Sequence, residues 1–158
     1  MIQLKNAKEL AAMRKACEIS AQALRRGGEA IEAGITTAEI DKIIYEYIKR
    51  QGARPNFKGL YGFPGTACIS VNDEVIHGIP SHAKVIRPGD IVSIDTGAAW
   101  GGFNGDNACT FGCGKLDLEA QRLLDVTRES LHRGIAAAVF GARVGDISNA
   151  VQTYVEEN

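Results

Sequence analysis

The sequence predicts an α+β domain, an antiparallel sheet backed by helices. Three observations lead there. Residues 91–111, IVSIDTGAAWGGFNGDNACTF, read as a β-hairpin: Ile91, Val92, Ile94, Thr96 and Phe103 suit strands, and the Trp100-Gly101-Gly102 cluster suits a tight turn. Stretches of helical periodicity lie on both sides of that hairpin. Those helical stretches also match one another at a shift of 107 residues: Gly34 with Gly141, Glu39 with Asp146, and Ile40, Ile44, Tyr47 and Ile48 with Ile147, Val151, Tyr154 and Val155.

The elements follow in order. Asn6 with Glu9 has the form of a capping box, and Leu10, Met13, Cys17, Ala21 and Leu24 recur at helical spacing behind it. Gly27-Gly28 is expected to interrupt or bend this helix. Thr36 with Glu39 makes a second capping box after a turn at Gly34. Ile40, Ile43, Ile44, Tyr47 and Ile48 form an apolar helix face that stops near Gly52, with Pro55 beyond it. Residues 57–64 are rich in glycine and aromatics, as a pocket-lining loop would be. Strands are expected over 67–71 and 75–79, joined by a turn at Asn72-Asp73, and Arg87-Pro88-Gly89-Asp90 turns the chain into the hairpin. Beyond Gly114, Leu124, Leu131 and Ile135 fall on one helix, and Ile147, Ala150, Val151, Tyr154 and Val155 on another.

The repeat implies a domain plan. A first copy of two helices and two hairpins occupies 1–112. The helical part of a second copy occupies 113–158, and its strands have no counterpart. The chain 1–158 therefore reads as one incomplete domain, the front of a longer protein, whose uncovered sheet edge and helix faces favour self-association.

Composition narrows the function classes. At 158 residues, 45% hydrophobic and 23% charged, the chain is of ordinary globular type. A net charge of −1 gives no electrostatic reason to expect nucleic acid or an anionic membrane as partner. No apolar run reaches transmembrane length, and the first residues have no signal-peptide core, so a cytoplasmic location is expected. Cys17, Cys68, Cys109 and Cys113 are scattered and are expected to be reduced thiols, most of them buried.

The chemistry centres on Asp95 and Asp106. Asp is depleted in strands, yet each stands inside a strand of the hairpin. With Trp100 and Gly101 at the centre of the turn, the two carboxylates would lie directly opposite on one face. Facing carboxylates repel unless a proton or a cation lies between them, which points to a metal site. The plainer reading, two polar residues on a solvated face, applies to either Asp alone better than to the pair. His77 lies in the apolar run Val75-Ile76-His77-Gly78-Ile79-Pro80, where Gly78 would let a ligand approach the backbone. A lone histidine there is ordinarily a core residue, and its value comes from standing one hairpin before Asp95. His82 and His132 receive no role. No HExxH, G-x-S-x-G or P-loop occurs. From spacing alone the reading ends at an α/β domain that is half of a metallohydrolase.

The segments GITTAEID, FPGTACISVNDEVIHGIP, RPGDIVSIDTGAAWGGFNGDNACTF and VGDISNAVQTYVEEN resemble the front half of bacterial type I methionine aminopeptidases. The resemblance runs from the first helix to the last residue. It implies the pita-bread fold, a curved antiparallel sheet backed by helices and built from two pseudosymmetric halves. It implies removal of the initiator methionine from nascent polypeptide N-termini, on or near the ribosome, by a monomeric enzyme. It implies two divalent metals, Co, Mn, Fe or Zn, held by two Asp, one His and two Glu. Asp95 and Asp106 match the two Asp, His77 matches a histidine that contacts substrate near the scissile bond, and Phe57, Leu60, Phe63 and Cys68 match positions lining the methionine pocket. Leu60 stands where an aromatic is common, and Asn104 where a His often precedes the second Asp by two residues. The remaining His and two Glu have no match in this chain, so weak metal binding and little peptidase activity are expected of it alone. Two other readings stand beside this one: a non-catalytic pita-bread binding module that self-associates or pairs with a missing half, and a proline-specific relative.

Overall fold

The antiparallel sheet is organised around one long central strand. In the computed structural model, which describes residues 3–158, β3 (Ile91–Trp100) pairs along its whole length with β4 (Phe103–Gly112). Its other edge is shared by the short β1 (Arg54–Pro55), at Ala98–Ala99, and by β2 (Ala67–Val71), at Val92–Thr96. All pairings are antiparallel. Two helices, α1 (Ala7–Glu29) and α2 (Thr37–Arg50), precede the sheet, and α3 (Leu118–Ala137) and α4 (Val144–Glu157) follow it. Residues 1–115 and 116–158 form two separate units.

Both expected capping boxes are present. Asn6 and Thr36 accept from the amides of Glu9 and Glu39, whose carboxylates accept in return from the cap amides. The Thr36 hydrogen bonds hold the exposed Glu39 carboxyl below its ordinary range. On α2, Ile40, Ile44 and Ile48 are fully buried, as the spacing predicts.

The face of α1 differs from the expected one. Its buried stripe is Ala16, Ile19, Ser20, Ala23, Leu24 and Gly27, while Leu10, Met13, Cys17 and Ala21 are exposed. The reason is close approach. A Cβ at Gly105 of β4 would lie 2.4 Å from the Ala16 backbone, so at this crossing point only a small side chain fits between helix and sheet, and Ile19 and Leu24 fill the space further along. Nor do the two glycines interrupt α1, which continues to Glu29. They admit neighbours instead: a Cβ at Gly27 would lie 2.8 Å from Ile44, and one at Gly28 would lie 2.2 Å from the Phe111 ring. Ser20 fastens the contact by donating to the Thr96 carbonyl at 2.8 Å.

The helix-facing residues of the sheet, Ile69, Val92, Ile94 and Ala98, complete the core with the α2 isoleucines. Strand alternation sends Cys68, Asp95, Ala108, Ser70, Ser93 and Thr110 to the opposite face. Asp41 of α2 reinforces the start of β2. Its carboxylate accepts from the amides of Thr66 and Ala67 at 2.7 and 2.8 Å, and burial nevertheless holds its pKa above the ordinary value.

The expected strand over 75–79 does not form. The Asn72-Asp73 turn is present, with Asn72 at φ 54°, but the chain then runs as an irregular loop. Within 75–79, Gly78 keeps a backbone hydrogen bond to β2, its carbonyl accepting from the Ile69 amide at 2.8 Å. Ser81 is claimed by the start of α2, its amide donating to Thr37 Oγ1 at 2.9 Å, and Lys84 accepts from the Thr37 amide at 3.0 Å. Those bonds draw the segment toward the helix instead of into a ladder. The first copy thus has one hairpin plus β2, not two hairpins.

In the second unit α3 and α4 pack on each other. Gly134 meets Val151, where a Cβ would lie 2.8 Å away, the same contact that Gly27 makes with Ile44 107 residues earlier. Arg133 lies 3.9 Å over the Tyr154 ring. Ser130 and Gly134 are the buried residues of α3, while Leu131 and Ile135 are 58% and 61% exposed, so the expected shared face of α3 is not a buried one. All four cysteines are free, two of them, Cys17 and Cys109, exposed instead of buried.

Candidate functional site

The hairpin turns at Gly101-Gly102, one residue later than the sequence suggests. Both glycines have positive φ, 58° and 82°, which a two-residue hairpin turn of this hand requires and which Trp100 would resist. The shift changes the register. Asp95 pairs with Ala108, and Asp106 pairs with Gly97. The carboxylates are therefore not directly opposite. They remain on one face because the turn moved without changing its length, and they meet along the diagonal. Gly97, directly opposite Asp106 and two residues beyond Asp95, has no side chain of its own. The space that its Cβ would take is filled by Asn56 at 2.9 Å and the Phe57 ring at 3.2 Å.

The pair is electrostatically strained. Burial first, then the Asp106 carboxylate, push Asp95 up to about 6, while His77 pulls it down. These three side chains line one cavity of about 560 Å³ with Phe57, Leu60, Tyr61, Gly62, Phe63, Pro64, Cys68 and Ile79. The structure thus brings together Asp95, Asp106, His77, Phe57, Leu60, Phe63 and Cys68. His82 and His132 do not line it. Burial, then the two aspartates, raise the Cys68 thiol to about 11, so it stays neutral at physiological pH and presents a small apolar surface.

His77 reaches the cavity from the irregular loop, with its backbone in the left-handed region at φ 58°. Gly78 does not serve a ligand, as the sequence suggests. What approaches it is β2 itself: a Cβ there would lie 2.2 Å from the Ile69 carbonyl oxygen. Ile79 was not singled out by its residue type, and only its place beside His77 could have marked it.

The donor chemistry fits a divalent cation in part. Two carboxylates on one face, one of them raised in pKa by burial and by its neighbour's charge, are oxygen ligands suited to hard or borderline metals. No group of three or more His, Cys, Asp or Glu side chains positioned to hold a metal occurs among the described residues.

The profile of Metallopeptidase family M24 matches residues 11–158. The chain belongs to this family. Among M24 relatives, it is 49% identical over 158 residues to a methionine aminopeptidase of Clostridium perfringens, covering all of this chain and 63% of that protein. It is 46% identical over 156 residues to methionine aminopeptidase 1 of Bacillus subtilis, covering 99% of this chain and 62% of that one. The crystal structure of methionine aminopeptidase from Thermotoga maritima superposes with a TM-score of 0.95 at 39% identity, over 99% of this chain and 63% of the other. A prolidase from Pyrococcus furiosus matches with a TM-score of 0.85 at 24% identity, over 98% of this chain and 44% of its own, a likeness of fold. The fold is thus the pita-bread fold of the M24 peptidases, and the chain spans about 63% of the length of its methionine aminopeptidase relatives.

Proposed function

We propose that this chain carries the substrate pocket and two of the metal ligands of a methionine aminopeptidase, acting on the N-termini of nascent polypeptides in the cytoplasm. The observation that carries the reading is the meeting of Asp95, Asp106 and His77 in a cavity otherwise lined by Phe57, Leu60, Phe63 and Cys68. Asp95 and Asp106 would hold divalent cations, and Co, Mn, Fe or Zn would each suit them. Cations bound there would supply Lewis-acid polarisation of a peptide carbonyl.

The chain's own residues do the rest. Phe57, Leu60, Phe63 and the neutral Cys68 thiol take an unbranched apolar side chain and exclude water from it, which suits the flexible, polarizable thioether of methionine. His77 stands at the same cavity and would donate a hydrogen bond to the carbonyl or amide that follows the first residue. The resemblance implies one further His and two Glu ligands, which would lie on the part of the relatives' length that this chain does not span. Two carboxylates leave most coordination positions of two cations to water, so the chain by itself binds metal weakly and turns over little peptide.

A substrate panel with metal tests the reading. With Zn²⁺, which is diamagnetic, Met-Ala should perturb the NMR resonances of Phe57, Leu60, Phe63, Cys68 and His77, and Ala-Pro should not. Perturbation by Ala-Pro alone would favour a proline-specific peptidase. Perturbation by neither would overturn the aminopeptidase reading in favour of a binding module.

A further inference from the structure

His77 occupies a backbone conformation that a non-glycine residue does not hold without support, and the loop around it has no strand ladder to supply that support. The support comes from the next residue. The Gly78 amide donates to Ser70 Oγ at 3.1 Å, and the Gly78 carbonyl accepts from the Ile69 amide at 2.8 Å. Both bonds end on adjacent residues of β2, a strand fixed by its five-residue pairing with β3. The approach is so close that the ideal Cβ position of Gly78 lies 2.9 Å from the Ser70 Cα. Further along, the segment is held again where Pro80 packs on Gly65, a Cβ there lying 2.9 Å from the proline ring.

Ser70 is 5% exposed and sits on the same sheet face as Asp95, one step along the strand row. Sheet pairing uses its backbone, so its hydroxyl is free to serve the loop. An alanine there would keep the strand, the pairing and nearly the same volume, and would remove only the acceptor for Gly78.

We propose that Ser70 is a positioning residue for His77: its hydroxyl and the Ile69 amide clamp Gly78 onto β2 and so hold His77 in its left-handed conformation at the cavity. The consequence for substrate rests on the aminopeptidase reading above, while the clamp itself does not. Ser70 acts through His77 and is not assigned contact with substrate.

The test uses the whole chain and three variants, Ser70→Ala, Ser70→Thr and Gly78→Ala. In wild type, the Gly78 amide should be protected from hydrogen exchange, and His77 should show the strong intraresidue amide-to-α-proton NOE of a left-handed residue. In Ser70→Ala, Gly78 exchange should rise by about tenfold, the value for one lost hydrogen bond, with core amides such as Ile94 unchanged. The His77 signature should weaken. Ser70→Thr should restore both, and Gly78→Ala, which must lift the loop off β2, should abolish both. Unchanged Gly78 exchange and His77 geometry in Ser70→Ala would overturn the clamp. So would an equal rise in exchange at Ile94, which marks general loosening. A final arm adds Met-Ala with the diamagnetic Zn²⁺. The His77 ring should shift in wild type but not in Ser70→Ala, while Leu60 and Phe63 shift in both. A failure to bind Met-Ala in either protein sinks the aminopeptidase reading and leaves the clamp to be judged by exchange alone.

Discussion

Asp106 faces Gly97 across the β3–β4 ladder and reaches Asp95 only along the diagonal. This offset leaves the strand position directly opposite Asp106 without a side chain of its own. Asn56 and Phe57 close over Gly97 instead, which joins the carboxylate pair to the wall of the proposed methionine pocket.

The metal-free pair should make stability depend on pH. Asp95 is raised to about 6 in the folded protein from an ordinary value of 3.8, so the folded state holds its proton more tightly than the unfolded state. The cost is absent below the unfolded value, grows as pH rises through the interval, and is complete above about 6. Water screens part of this cost at a half-exposed carboxylate, so Asp95→Asn should raise stability at pH 7 by on the order of 1 kcal/mol and leave it nearly unchanged at pH 3.5. Urea unfolding at the two pH values, in chelator, would check this.

The same pair should make metal binding fragile. Asp95→Asn and Asp106→Asn should each reduce Mn²⁺ affinity at least about tenfold, because each removes one of two charged ligands. Calorimetry on the two variants and wild type is the measurement. Two tight sites on the wild-type chain, or undiminished binding in both variants, would contradict the assignment.

Gly105→Ala should be destabilising by about 2–3 kcal/mol. The added Cβ meets the Ala16 backbone carbonyl at 2.4 Å, and a helix backbone cannot step aside as a side-chain tip can. Gly145→Ala, where no neighbour lies within 4 Å, should not lose stability. Thermal unfolding of the two variants would show the contrast.

Asp41→Ala should free two amides at once. Thr66 and Ala67 both donate to its Oδ1, and both residues are fully buried. The expected loss is about 1–3 kcal/mol, with hydrogen exchange rising first at those two amides. Asp41→Asn, which keeps an acceptor oxygen, should lose less.

The α3–α4 unit should promote association. Leu131, Ile135, Val139 and Phe140 are each more than half exposed, with Phe140 at 108%. Leu131→Glu with Ile135→Glu should leave helix content unchanged and lower the mass seen by light scattering at high concentration. A monomer at all concentrations for wild type would remove the basis for this expectation.

Much of the local structure was legible in the residues. Capping boxes, the α2 stripe, the Asn72-Asp73 turn and the strands over 67–71 and 91–111 depend on neighbours within a few positions, where propensity and hydrogen bonding act directly. The 107-residue repeat was legible for the same reason, since α2 and α4 are built by the same short-range rules. Which face of α1 is buried was not legible. Leu10 and Met13 lie outside while Ile19 and Leu24 lie inside, and the close approach of helix to sheet at Ala16 is set by Gly105, 89 positions later.

The sequence by itself determined that two aspartates share one strand face, because strand alternation has a period of two and survives a displaced turn of unchanged length. Only the tertiary structure decided that they meet diagonally over Gly97, and that the segment carrying His77 is a clamped loop and not a strand. Both outcomes follow from backbone contacts between distant segments, the Gly101-Gly102 turn admitting positive φ twice and Gly78 lying directly on β2. No pattern of neighbouring side chains encodes a contact of that kind.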